Sequence, residues 1–167
     1  NTTDISGDEV WVKFDSEGRS NFSNLKLVED QAGGRVNFKY ESIRFSLRDS
    51  VVRFGDLSRR IAADANNVVF LLEPENFEIP DEQKRYKFDF TSTDSNFIYD
   101  DRKLEPVDIR AQGIAHRNGT EVTGLRLTTP IGESVLKGTT TGWESPKYNL
   151  EIESTVDLTQ ASTVFPL

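Results

Sequence analysis

Leu104–Leu158 decides the fold: LEPVDIRAQGIAHR, then NGT, then EVTGLRLTTPIGESVLKGTTTGW, then ESPKYNLEIESTVDL. Each piece alternates apolar with polar residues and ends in turn residues. Val107, Ile109 and Ala111 share one parity, with Asp108, Arg110 and Gln112 on the other. Tyr148, Leu150, Ile152, Val156 and Leu158 repeat the pattern against Asn149, Glu151 and Glu153. A period of two places each set on its own face of a strand. The stretch therefore reads as an antiparallel meander with one apolar and one charged face, and Asn118-Gly119 is its clearest hairpin turn. What covers the apolar face is the question for the whole molecule.

Working outward, the rest of the chain carries the same signal. Glu9–Phe14 reads as a strand with Val10, Val12 and Phe14 opposite Trp11 and Lys13, followed by a turn at Asp15–Gly18. Phe22 and Leu25 are apolar anchors in a polar stretch. Across Arg35–Leu47 the apolar parity switches between Tyr40 and Ile43, which a bulge at Glu41-Ser42 or a break into two strands would accommodate. Turns are expected at Arg48–Ser50, Gly55-Asp56, Thr93–Asn96 and Asp100–Arg102, where Asp, Asn, Ser and Gly cluster. Val51–Phe54 and Phe97–Tyr99 then read as return strands. Leu57–Asn67 reads as a strand with Ile61 and Ala63 inward, in preference to a helix. Val68, Phe70 and Leu72 form one strand face, and Tyr86, Phe88 and Phe90 another. Pro74–Lys84 joins them, with Phe77 and Ile79 as anchors. Hairpin-length connections throughout imply roughly ten to twelve strands in a single β domain over residues 1–167.

The 167 residues suffice for a domain of ordinary size. Without cysteine there is neither a disulfide framework nor a thiolate metal site. Acidic residues outnumber Lys and Arg by 28 to 20, for a net charge of -8, so nucleic acid is not the expected partner. No apolar run approaches the ~18 residues of a membrane span. The chain opens with Asn and not Met, and reads as a piece excised from a longer protein.

Motifs for catalysis are weak. The one histidine, His116, stands at a strand end beside Asn118-Gly119 and reads as a surface residue. There is no Gly-x-Ser-x-Gly elbow and no cysteine nucleophile, and no Gly-rich loop leads into a helix. Asp94-Ser95-Asn96 with Asp100-Asp101 offers oxygen ligands for calcium but lacks the spacing of a known loop, so solvated turns are favoured. Paired carboxylates fall in turns and on charged faces. No enzyme activity, metal or cofactor is expected. The aromatic set, Phe38, Tyr40, Phe45, Phe70, Tyr86, Phe88 and Phe90, is the informative one. On pattern alone it suits a closed β-sandwich core; an open sheet whose apolar face meets lipid is the alternative.

A resemblance tips this choice toward the open sheet. VWVKFDSEG leading into Gly18–Leu25, then SIRFSLRDSVVRFGD (Ser42–Asp56), VTGLRLTTPIGESVLKGTTTG (Val122–Gly142) and SPKYNLEIESTVDLTQ (Ser145–Gln160) resemble, in order, segments of the AsmA-like superfamily. The likeness is to AsmA/TamB proteins of Gram-negative envelopes. Ser42–Asp56 looks like one hairpin of that family and Val122–Gly142 resembles another. The resemblance implies a mainly antiparallel, strongly twisted meander curling into an open, β-taco-like apolar groove. It also implies a parent protein anchored in the inner membrane and extending through the periplasm, whose groove carries phospholipid between the two membranes in outer-membrane biogenesis. The edges of this segment would pair with neighbouring segments. The lining expected on this reading is Phe38, Tyr40, Phe45, Phe70, Leu72, Tyr86, Phe88, Phe90, Ile109, Leu125, Leu127, Leu150 and Ile152, against phospholipid acyl chains. The alternative is a structural or assembly module that binds outer-membrane proteins or another protein partner through an edge strand.

Overall fold

A computed structural model describes residues 2–17, 19, 21, 44–80, 83–142 and 147–164. Nine strands are present among them: β1 (Thr2–Ser6), β2 (Glu9–Phe14), β3 (Arg44–Asp56), β4 (Ile61–Pro74), β5 (Arg85–Tyr99), β6 (Arg102–His116), β7 (Gly119–Thr129), β8 (Gly132–Thr141) and β9 (Lys147–Val156). A short helix, α1 (Leu158–Val164), follows. All strands belong to one twisted, open sheet. From β3 to β9 it is a pure antiparallel meander, each strand pairing with the next in sequence. β1 and β2 both lie parallel to β3 on its free side. Their register is continuous: Thr2 faces Arg44, Ser6 faces Arg48, and Glu9 faces Val51. They are thus one edge segment interrupted at Gly7, whose φ of 72° is glycine's territory.

The chain crosses the sheet fewer times than its turn residues suggest. Arg48–Ser50 and Thr93–Asn96 are not turns: β3 runs unbroken through the first and β5 through the second. Val51–Phe54 and Phe97–Tyr99 therefore continue their strands and do not return. The family-like hairpin at Ser42–Asp56 is, over its described residues, a single strand. Gly55 and Asp56 end β3, and the turn is Leu57–Arg60, after which β4 begins with Ile61 and Ala63 on the same face as Phe54 and Phe97. At Asp49 and Asp94 the chain bulges.

These bulges form a line. Between β3 and β4 the register slips by one residue on β3 near Asp49, then by one on β4 near Asn67. Between β5 and β6 it slips near Asp94 and then near Glu105-Pro106. β4 and β5 stay in step because each carries one extra residue. Asp49, Asn67 and Asp94 have φ of 49°, 48° and 52°, a conformation that short polar side chains tolerate best. Side chains satisfy backbone groups that the bulges remove from the ladder. Asn66 N–H donates to Ser95 Oγ at 3.0 Å, Asn66 Nδ2 donates to the Asp94 carbonyl at 2.7 Å, and Asp94 N–H donates to Asp108 Oδ1 at 3.0 Å. Each bulge sharpens twist and bend. Four adjacent strands bulging at one level therefore bend the sheet along a common line. Buried side chains gather there: Val68 (0% exposed), Ser50, Ser92, Ser95 and Val107.

Three further expectations change. Leu158 does not extend the β9 alternation; Asp157 Oδ1 accepts from Thr159 N–H (2.8 Å) and Gln160 N–H (3.1 Å), capping α1. Phe77 is 58% exposed and anchors nothing. The closed sandwich favoured by pattern alone gives way to one sheet with no second layer among the described residues, in which the only buried hydrophobics are Leu47, Val68 and Val107. The bulge expected at Glu41-Ser42 and the anchors Phe22 and Leu25 lie outside the described residues.

Candidate functional site: one apolar face

Directly paired residues of neighbouring strands project to the same face, so the register spells out the face row by row. One row runs Phe45, Leu72, Phe88, Gly113, Val122, Gly138, Leu150. The next runs Leu47, Phe70, Phe90, Ala111, Leu125, Leu136, Ile152, with Ile5 extending it at the β1 edge. Toward the bulge line follow Ser92, Ile109, Leu127, Ser134 and Ser154. At the far end lies a row of Tyr86, Ala115, Thr120, Thr140 and Tyr148, which brings hydroxyl groups to that margin.

The expected lining residues within the described strands, Phe45, Phe70, Leu72, Tyr86, Phe88, Phe90, Ile109, Leu125, Leu127, Leu150 and Ile152, all fall on this face. Phe38 and Tyr40 lie outside the described residues. Rings meet rings: Phe45 and Phe70 lie 6.0 Å apart between centroids, tilted by 57°. The face also holds residues that the alternation contained but the expected lining left out. Leu47 and Leu136 share parity with their named neighbours. Phe97 and Leu104 were hidden by the false turn at Thr93–Asn96. Across the bulge line, Ala63, Phe97, Leu104 and Val107 join Ile109 and Leu127 in lining an apolar pocket of about 300 Å³, at the small end of ligand-pocket volumes.

The opposite face is charged and pairs across strands. Gln112 Nε2 donates to Asp89 Oδ2 at 2.8 Å, Arg126 meets Glu133 at 3.0 Å, and Lys137 meets Glu151 at 3.1 Å. Near the β2 edge, Lys13 Nζ sits 3.9 Å from the Trp11 ring centroid, confirming that these two residues share the face opposite Val12 and Phe14. Such exposed pairs add little stability, but they keep this face wet. This face is thus mainly polar, with Val69, Leu71, Ile114 and Val135 set among its charges.

Residues considered for chemistry do not converge. His116 lies at the β6–β7 hairpin, where its Nδ1 accepts from Asn118 N–H at 3.2 Å. Asp94 sits in the β5 bulge and Asp100-Asp101 in the β5–β6 turn, with most of a strand's end between them. Among the described residues no group of three or more His, Cys, Asp or Glu side chains could hold a metal ion. None of the helices among them is long and apolar enough to cross a membrane. No protein-family model, no curated protein and no solved structure matches the chain.

Proposed function

We propose that this chain is a lipid-binding, non-enzymatic groove segment of an AsmA/TamB-like envelope protein. It would act in the periplasm of a Gram-negative bacterium, conducting phospholipid between the inner and outer membranes. The observation that carries the reading is the continuous apolar face of an open sheet on which large side chains remain accessible. A core residue is normally sealed by a second layer; here aromatic and aliphatic rows extend over successive strands with none described above them. Each methylene of an acyl chain gains about 0.8 kcal/mol on leaving water, so a short run of chain on these rows is held. Sliding along them changes little buried area, so transport needs no catalytic group. The hydroxyl margin at Tyr86, Thr120, Thr140 and Tyr148 suits a wetter end of the track.

Displacement of a fluorescent fatty acid tests this. Phe88→Asp, in the middle of the aromatic row, is expected to weaken binding at least tenfold, whereas Lys87→Glu, its neighbour on the charged face, leaves affinity within about twofold. Equal affinities for the two variants, with both folded, would sink the proposal. A second reading, a module that binds a protein partner through an edge strand, draws on the exposure of β9.

A further inference from the structure

Strand β9 differs from every other edge of this sheet. It pairs with β8 on one side and has no strand neighbour on the other among the described residues. All its residues, Lys147–Val156, are exposed. Its pairing with β8 runs from Lys147 to Val156 without a register shift. It contains neither proline nor glycine. Proline, bulges, short length and charged side chains are the usual devices that blunt an edge against pairing; of these β9 has only charges, Lys147, Glu151 and Glu153. The opposite edge is interrupted at Gly7 between β1 and β2; β9 has no interruption.

The order of side chains along β9 is self-complementary in one antiparallel register. If two copies meet about a two-fold axis through Leu150, Leu150 faces Leu150, Tyr148 faces Ile152 twice, Asn149 faces Glu151 twice, and Lys147 faces Glu153 twice. Every facing pair is then apolar with apolar, amide with carboxylate, or cation with anion, the combinations that stabilise antiparallel neighbours. Other centres do worse. Centring on Glu151 opposes the two Glu151 carboxylates. Centring on Ile152 opposes Glu151 to Glu153 twice. Centring on Asn149 avoids like charges but pairs only Lys147–Glu151, against Lys147–Glu153 in the Leu150 register. In the Leu150 register the chain beyond Lys147 begins with Pro146, which cannot donate to a ladder, so the paired segment has a natural end.

The geometry points to β9 as a homodimerisation edge, through which a second copy of this chain pairs antiparallel about Leu150. Such an interface is isologous: the same patch serves both copies. It keeps the apolar rows on one side, because Leu150, Tyr148 and Ile152 meet residues of the same face. The two sheets become one longer sheet with a continuous apolar face. This inference rests on the edge alone and is independent of whether lipid binds.

Sedimentation equilibrium on the full 167-residue chain tests it. The expected result is a concentration-dependent dimer. Glu153→Lys, which sets lysine against Lys147 at both ends, should weaken association more than tenfold. The double variant Lys147→Glu with Glu153→Lys should restore it. Circular dichroism checks that the exposed substitutions leave the sheet intact. Because the chain has no cysteine, Leu150→Cys supplies a second readout: facing Cβ atoms roughly 5 Å apart across an antiparallel pair should oxidise to a covalent dimer, while Ser154→Cys should not. A chain monomeric at all concentrations would overturn the inference. So would a dimer indifferent to Glu153→Lys, or one abolished by Phe88→Asp alone, which would place the contact on the apolar face.

Discussion

Phe88 and Gly113 face each other across β5 and β6, and the ring takes the space a side chain would need. A Cβ built on Gly113 would stand 2.6 Å from the Phe88 ring and 2.2 Å from the Glu121 carbonyl oxygen. Gly113→Ala is therefore expected to destabilise the sheet by about 1–3 kcal/mol, as overpacking does, in urea denaturation; an unchanged midpoint would show that the ring moves aside freely. Asp56 works at the end of β3. Its carboxylate, 1% exposed, accepts from Ser58 Oγ at 2.6 Å, Ser58 N–H at 2.9 Å and Arg59 N–H at 3.1 Å, and pairs with Arg59 Nη1 at 2.7 Å. The Ser58 hydroxyl foremost, with Arg59, holds this carboxyl below its ordinary value of 3.8 against the opposing effect of burial. A lowered folded value means the carboxylate's contribution is complete above the unfolded value and fades as pH falls through the folded one. Asp56→Asn should melt below the wild type at neutral pH, and the gap should close in acid below about 3.8; a gap constant down to pH 2 would contradict this role. Neither part was legible in the sequence: Gly113 sits mid-strand without a turn to announce it, and Gly55-Asp56 reads as the turn that Asp56 in fact caps from one residue before.

At the level of the strand, parity was the reliable signal and composition the misleading one. Alternation placed the named lining residues of β3–β9 on one face because a period of two survives without knowledge of partners. Asp49 and Asp94 misled because residues that tolerate positive φ serve bulges as well as turns. The apolar parity switches across both, from Leu47 to Val52 and from Phe90 to Phe97, as a one-residue insertion requires. A hairpin imposes no such switch, so the same reasoning that suggests a bulge at Glu41-Ser42 applies to them. Asn67 carries the device in β4, where its Nδ2 lies 3.3 Å from the Thr93 carbonyl. Asn67→Gly should leave the melting temperature nearly unchanged, since glycine adopts this φ freely. Asn67→Val, β-branched in the same conformation, should cost about 1–3 kcal/mol. Equal effects of the two would mean that the bulge relaxes at no cost. The helix α1 was missed because seven residues carry too little periodicity, and only Asp157 as cap marks its start.

For the whole molecule, what the sequence could not decide was closure. Alternating strands describe a sandwich and an open sheet equally, since both have one apolar and one wet face. The choice depends on whether a second layer forms, a long-range property that no local pattern encodes. The sheet is open, and its apolar face carries a pocket where the bulge line crosses it. Truncating that pocket's contacts by Leu104→Ala should reduce lipid affinity less than Phe88→Asp does, because it removes apolar area without adding charge. The most direct measurement is native mass spectrometry of the purified chain, followed by lipid extraction. An acyl-chain track should copurify with phospholipid and lose it in Phe88→Asp while retaining it in Lys87→Glu. A clean apo mass for the wild type, with no uptake of added phospholipid, would contradict the proposed groove.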